Sequence, residues 1–331
     1  MHRLLLACLL LMTMTGVAFA QVPSDQRKVA FVANFGGDTV SAVDLTSAEL
    51  VATIRTGNQP HGVVVAPDGS RVYVTNESDG TLTVIDWPAG EVVRQIPVGS
   101  APHQLDVSPD GKRLFIPLNG EHRVVVLNAV TFEVEGTVPV GRRPHIVRVL
   151  PGAQTVLATS EGDQQVTIFD ADSLEVVRTV PVFATPRVPA AASDGSKIYQ
   201  TIRWLNGMLV IDTETGRVTG RIALSHERFA PEGKDAHGVG VHPLQGDVWL
   251  TSQTWNTVTI IDTATGDGRA TISVGKDPNW IEFTGDGSTA AVSNTGDGTL
   301  SIIDVATHRV IGTVAVGPSP KRLAVLGGGT Q

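Results

Sequence analysis

The sequence predicts an all-β chain closed into a seven-bladed β-propeller, each blade a four-stranded antiparallel sheet. Three observations predict it. Between Pro60 and Gly99, four runs alternate apolar and polar residues with turn residues between them: Gly62–Ala66, Arg71–Asn76, Thr81–Asp86 and Glu91–Val98. Alternation over four to eight residues marks half-buried strands, because successive side chains leave opposite faces of a sheet. The unit then recurs. With His61 as anchor, the equivalent positions are His103, His145, Arg187, His237, Asn279 and Lys321, at intervals of 42, 42, 42, 50, 42 and 42 residues. A four-strand unit repeating every ~40–45 residues is a propeller blade. Finally, the two ends of the chain complement each other. Lys28–Asn34, Thr39–Asp44 and Leu50–Gly57 match strands two to four of the unit, and Lys321–Leu326 matches strand one. Joined in one blade, they leave the ring without a free edge.

Taken in order, residues 1–20 read as a targeting segment. His2 and Arg3 form a basic start, Leu4–Met12 an apolar core, and Ala18-Phe19-Ala20 a cleavage signal before Gln21. The apolar run is too short to span a membrane, so the mature chain is expected in the periplasm or outside the cell. Residues 21–27 are a polar lead-in, 28–326 the propeller and 327–331 a tail. The only cysteine, Cys8, lies in the targeting segment, which leaves the mature chain no disulfide and no thiolate ligand. Within the blades, Asp68-Gly69, Asp110-Gly111, Asp194-Gly195 and Asp286-Gly287 supply hairpin turns between strands one and two. The ends of the third strands carry Asp44, Asp86, Asn128, Asp170, Asp212, Asp262 and Asp304, residues suited to bonding the backbone of the next turn. We therefore read these acids as structural.

A chain of 331 residues that is 41% hydrophobic has ample material for a core. Its net charge of −8 disfavours nucleic acid and anionic membranes as partners. A monomer is expected.

The segments PHGVVV, PDGSRVYVTN, GTLTVID and VVRQIPVG resemble the YVTN-type repeat of bacterial seven-bladed propellers, and the resemblance covers residues 28–326. It implies that the first strand of each blade is innermost and lines a central channel. Relatives of this repeat type include surface-layer and periplasmic proteins, redox enzymes and lactonases, so it leaves function open.

In such a meander the start of strand one, the loop joining strands two and three, and the end of strand four share one face, here called the mouth. The anchors would ring it: His61, His103, His145, Arg187, His237, Asn279 and Lys321. Neutral imidazole ligates zinc and copper, so His61, His103, His145 and His237 are candidate ligands for a divalent metal. The 50-residue interval carries extra residues at 225–235, which would bring His226, Glu227 or Arg228 over the mouth. Arg203, Trp204, Trp255 and Trp280, with Arg187, Asn279 and Lys321, are candidates for binding a small ligand or protein partner. Glu77, Asp79, Glu121, His122 and Glu161 fall in loops on the same face. Asp106, Arg148 and Glu282 occupy a first-strand position facing the channel, and Glu227 or Glu282 is the candidate catalytic acid or base. His242 and His308 fall on the opposite face and read as structural. The chain contains no G-x-S-x-G, H-E-x-x-H, P-loop or C-x-x-C-H motif. The leading expectation is a binding propeller. A metal-dependent lactonase or lyase, and an accessory to periplasmic redox chemistry involving copper, a quinoprotein or a cytochrome, are the alternatives.

Overall fold

A computed structural model describes residues 28–152, 154–224 and 236–328. Seven four-stranded sheets follow one another around a ring, with no helix among the described residues. In the His61 blade, Pro60–Val65, Arg71–Asn76, Thr81–Asp86 and Glu91–Pro97 pair in sequence order. The remaining blades repeat this order, and Pro320–Val325 pairs with Val29–Asn34 to complete the split blade. The closure expected from the chain ends is thus present. It removes the free edge that an open ring would offer to another chain.

Burial follows position in the blade. First strands are almost wholly buried, whereas Glu91–Pro97 and its equivalents are exposed along most of their length. First strands of neighbouring blades pack against one another around the axis. Between blades, the apolar faces interlock. Val29, Phe31 and Val40 of the split blade meet Val63, Val72, Val74 and Ile85 of the next.

The signature residues of the repeat have identifiable work. Asn76 donates to Thr81 and Thr83 of its own blade and accepts the Gly57 amide from the preceding one. A Cβ on Gly57 would lie 2.7 Å from the Asn76 side chain, so the junction requires glycine. Six of the seven Asp or Asn residues ending the third strands bond a turn amide, as Asp44 does with Thr46 and Ser47. The turn glycines Gly69, Gly111, Gly195 and Gly287 all have φ near +70°.

Candidate functional site

The anchors reach the channel because each sits on a β-bulge. In the His61 blade, Pro60 pairs with Asn76 and Gly62 with Thr75, leaving His61 as the extra residue. The same shift occurs at 145, 187, 237, 279 and 321. A bulge re-aims the side chain that alternation alone would assign to one face of a sheet. Hydroxyls on the second strands fix it. Thr75 accepts the Gly62 amide at 2.9 Å and donates to the carbonyl of His103, the next anchor, at 2.8 Å. Thr201 does the same between Val188 and His237, and Ser293 between Trp280 and Lys321. His103, His237 and Lys321 are therefore each held by the blade before them.

The His103 blade departs from the others, and this draws three histidines together. Its innermost strand is reduced to Asp106–Val107. The freed Gln104 backbone bonds the neighbouring blade instead, donating to the His145 carbonyl at 3.2 Å and accepting from Val147 at 3.0 Å. On the other side, Gly62 lies against it: a Cβ there would be 2.7 Å from the His103 carbonyl oxygen. The rings of His61 and His103 stack at 4.2 Å, and His145 stands edge-on at 5.5 and 5.1 Å. One nitrogen from each of the three lies within 4.8 Å of the others.

The trio is buried, and two of its members are held neutral at physiological pH. Burial, reinforced by neighbouring His103 and Arg322, holds His61 and His145 well below the usual histidine pKa. The Nδ1 atoms of His61, His103 and His145 have no hydrogen-bond partner among the described residues. Glu77 stands beside the pair, its Oε2 3.4 Å from His103 Nε2 and 3.9 Å from His61 Nε2. Burial pushes the Glu77 pKa up, but hydrogen bonding and charge from His103, with Lys321 and Arg322, bring it below the ordinary value. Glu77 is thus a carboxylate.

Cations line the other side. Arg322, fully buried, donates to Asn279 Oδ1 at 2.5 Å and reaches across the channel to His145 Nε2 at 3.3 Å. Arg187 pairs with Glu161 at 2.8 Å, and Glu161 Oε1 also lies 3.7 Å from His145 Nδ1. Lys321 stands over the Phe35 ring at 3.3 Å, and burial, with Arg322 nearby, lowers its pKa to about 8.

Several expected site residues sit elsewhere. His237 is buried, but its Nδ1 donates to the Asn279 carbonyl at 2.8 Å, and it stands outside the histidine trio. Trp280, expected at an exposed mouth, is 1% exposed. Its indole donates to Glu282 Oε1 at 3.0 Å, and its ring packs against the guanidiniums of Arg148 and Arg322. Trp204 and Trp255 are exposed, and Arg203 stacks on Trp204 at 5.3 Å. His226, Glu227 and Arg228 lie outside the described residues. His242 bonds Gly287 and the amides of Leu244 and Gln245, and His308 lies edge-on to Trp249, so each has a local structural partner. Glu282 lies in the channel with Asp106 and Arg148. Sequence reasoning placed Glu77 in a mouth loop without a role and missed Gly62, Thr75, Gln104 and Arg322. The only signal for these was their place within one residue of an anchor or in the YVTN motif.

Comparisons with known proteins agree on the fold. Residues 8–109, about a third of the chain, match the family model of YNCE-like beta-propellers, in keeping with the YVTN-type resemblance. No curated protein matches the chain. Among solved structures, Kuenenia stuttgartiensis hydrazine synthase aligns with a TM-score of 0.75 at 20% identity, covering 83% of this chain and 92% of that one. The dihydro-heme d1 dehydrogenase NirN, in complex with DHE, aligns with a TM-score of 0.68 at 18% identity, covering 93% of this chain and 77% of that one. At such identities the likeness concerns the fold. Among the described residues, no helix is long and apolar enough to cross a membrane.

Proposed function

We propose that this chain is a binding propeller of the periplasm or cell exterior that holds a divalent transition metal, zinc or copper, at its channel mouth. His61, His103 and His145 are the ligands, and Glu77 supplies a carboxylate beside them. One observation carries the reading: three buried imidazoles from consecutive blades converge within 4.8 Å, and their Nδ1 atoms lack a hydrogen bond among the described residues. Buried polar atoms normally find partners, so a convergent set without them fits a site whose ligand engages these nitrogens. Neutral imidazoles with a flanking carboxylate match the donor preferences of zinc and copper. Arg187, Lys321 and Arg322 give the same mouth a cationic wall, which suits an anion or an acidic group bound at the metal's open position. The N-terminal segment with its Ala18-Phe19-Ala20 site supports export.

Elemental analysis of the purified mature protein tests the reading, before and after dialysis against zinc or copper. One metal per chain is expected, and a His103→Ala/His145→Ala variant of unchanged melting behaviour should hold none. Failure of the native protein to retain stoichiometric metal after reconstitution, or retention by the double variant, overturns it.

A further inference from the structure

The channel has a second chamber, at the end opposite the mouth. A cavity of about 530 Å³ is lined by first-strand residues Val64, Asp106, Arg148, Glu282 and Ala324 and by the turns that follow those strands. That volume is within the range of small-molecule sites, as is an apolar wall with a few converging polar groups. The polar groups here are three. Asp106 accepts the amides of Val107 and Val149, at 2.9 and 2.8 Å. Glu282 accepts the Trp280 indole and is hydrogen-bonded by the Val325 amide. Both acids are thus tied to their own walls. Arg148 is held less fully: its side chain is 7% exposed, its guanidinium lies over the Trp280 ring and stands 3.6 Å from a Glu282 oxygen, and its Nε has no partner among the described residues. A buried guanidinium N–H left without a partner is costly unless something engages it.

We propose that this chamber binds a small zwitterion of the α-amino-acid class with a bulky apolar side chain. Its carboxylate pairs with Arg148, its ammonium group faces Glu282 and Asp106, and its side chain lies along Val64, Val65, Leu150 and Val325. Charge decides between ligand classes. An anion alone meets Arg148 but also two carboxyl groups. A cation alone meets the carboxyl groups but also the guanidinium. A ligand carrying both charges gives each group its complement, and guanidinium matches carboxylate bidentately. The turns carrying Pro67, Pro109 and Pro151 frame this end, so the site is distinct from the histidine mouth.

L-Phenylalanine is the probe, with 3-phenylpropionate and phenethylamine as analogues that each lack one charge. The readout is the indole N–H resonance of Trp280, which donates to Glu282 and is assigned through a Trp280→Phe variant. We expect phenylalanine to shift this resonance saturably and each analogue to bind at least about tenfold more weakly. Arg148→Gln should weaken phenylalanine by a similar factor. Val64→Phe, which fills the chamber and leaves Arg148 intact, should abolish the shift while thermal melting shows a folded chain. The proposal is overturned by no shift at millimolar phenylalanine, by an analogue binding as tightly as phenylalanine, or by undiminished binding to the folded Val64→Phe variant.

Discussion

Replacing Gly62 with alanine tests how the histidine trio is held. The added Cβ would meet the His103 carbonyl oxygen and Thr75 Oγ1 at 2.7 Å each and Gln104 Cα at 2.8 Å. Two of these three atoms are backbone of the adjacent His103 blade, so the strain cannot be relieved by rotating a side chain. Overpacking of this kind costs about 1–3 kcal/mol, which for a large single domain lowers Tm by roughly 2–6 °C. Gly238 is the matched control. It occupies the same repeat position beside His237, and its Cβ would meet the Asn279 carbonyl at 2.7 Å and Trp280 Cα at 2.9 Å. The two variants should therefore lose similar stability, read by calorimetry. Only Gly62→Ala moves His103 away from His61, so only it should weaken metal binding, by about tenfold or more. A Gly62→Ala protein that melts like the native one contradicts the close approach. Equal loss of metal affinity in both variants contradicts the assignment of the ligands to the His61–His103–His145 side.

Three further outcomes are expected. Because burial depresses the pKa values of His61, His145 and His237, the unfolded chain takes up protons below about pH 6.5 that the native chain does not, so stability should fall with pH by up to ~1.4 kcal/mol per unit for each. Urea midpoints at pH 7.5, 6.0 and 5.0 measure this, and a flat profile refutes it. Thr75→Val removes both bonds made by that hydroxyl and leaves two buried backbone groups unpaired, costing about 2–4 kcal/mol; a urea midpoint unchanged from native would show that the hydroxyl does not fix the bulge. Arg322→Met should raise metal affinity, measured by competition with a chelator, because it releases the contact that keeps the proton on His145 Nδ1 and removes a buried positive charge; an unchanged or lower affinity would show that Arg322 does not compete for His145.

The architecture was legible because it repeats. Seven copies of one alternation fix period, blade count and closure, and an Asp-Gly at the same offset in several copies confirms the register. The site was legible only in outline. Identical spacing put His61, His103, His145 and His237 in one ring and gave no reason to separate them. What separates them is not periodic. Gln104 leaves its own sheet for the neighbouring blade, which draws His103 toward His145, while an ordinary backbone carbonyl takes up His237. Trp280 misled for a related reason. It follows an anchor, and the bulge that turns Asn279 toward the mouth leaves Trp280 packed against two arginines inside the channel. A bulge adds no residue type of its own to the sequence, and its effect on side-chain direction appears only once the strands are paired.

A neutral imidazole has one lone pair and one N–H. While Arg322 donates to His145 Nε2, the proton of His145 must sit on Nδ1, on the side of Glu161, and neither nitrogen is free to bind a metal. Metal binding at His145 and the Arg322 contact are therefore mutually exclusive. Arg322 released from His145 keeps Asn279 Oδ1 and the face of Trp280. Trp280 in turn touches Arg148 and bonds Glu282, both walls of the opposite chamber. One indole thus connects the group that must move at the mouth with the groups that would hold a ligand below. If occupancy of the mouth changes affinity in the chamber, linkage requires the chamber's ligand to change metal affinity by the same factor.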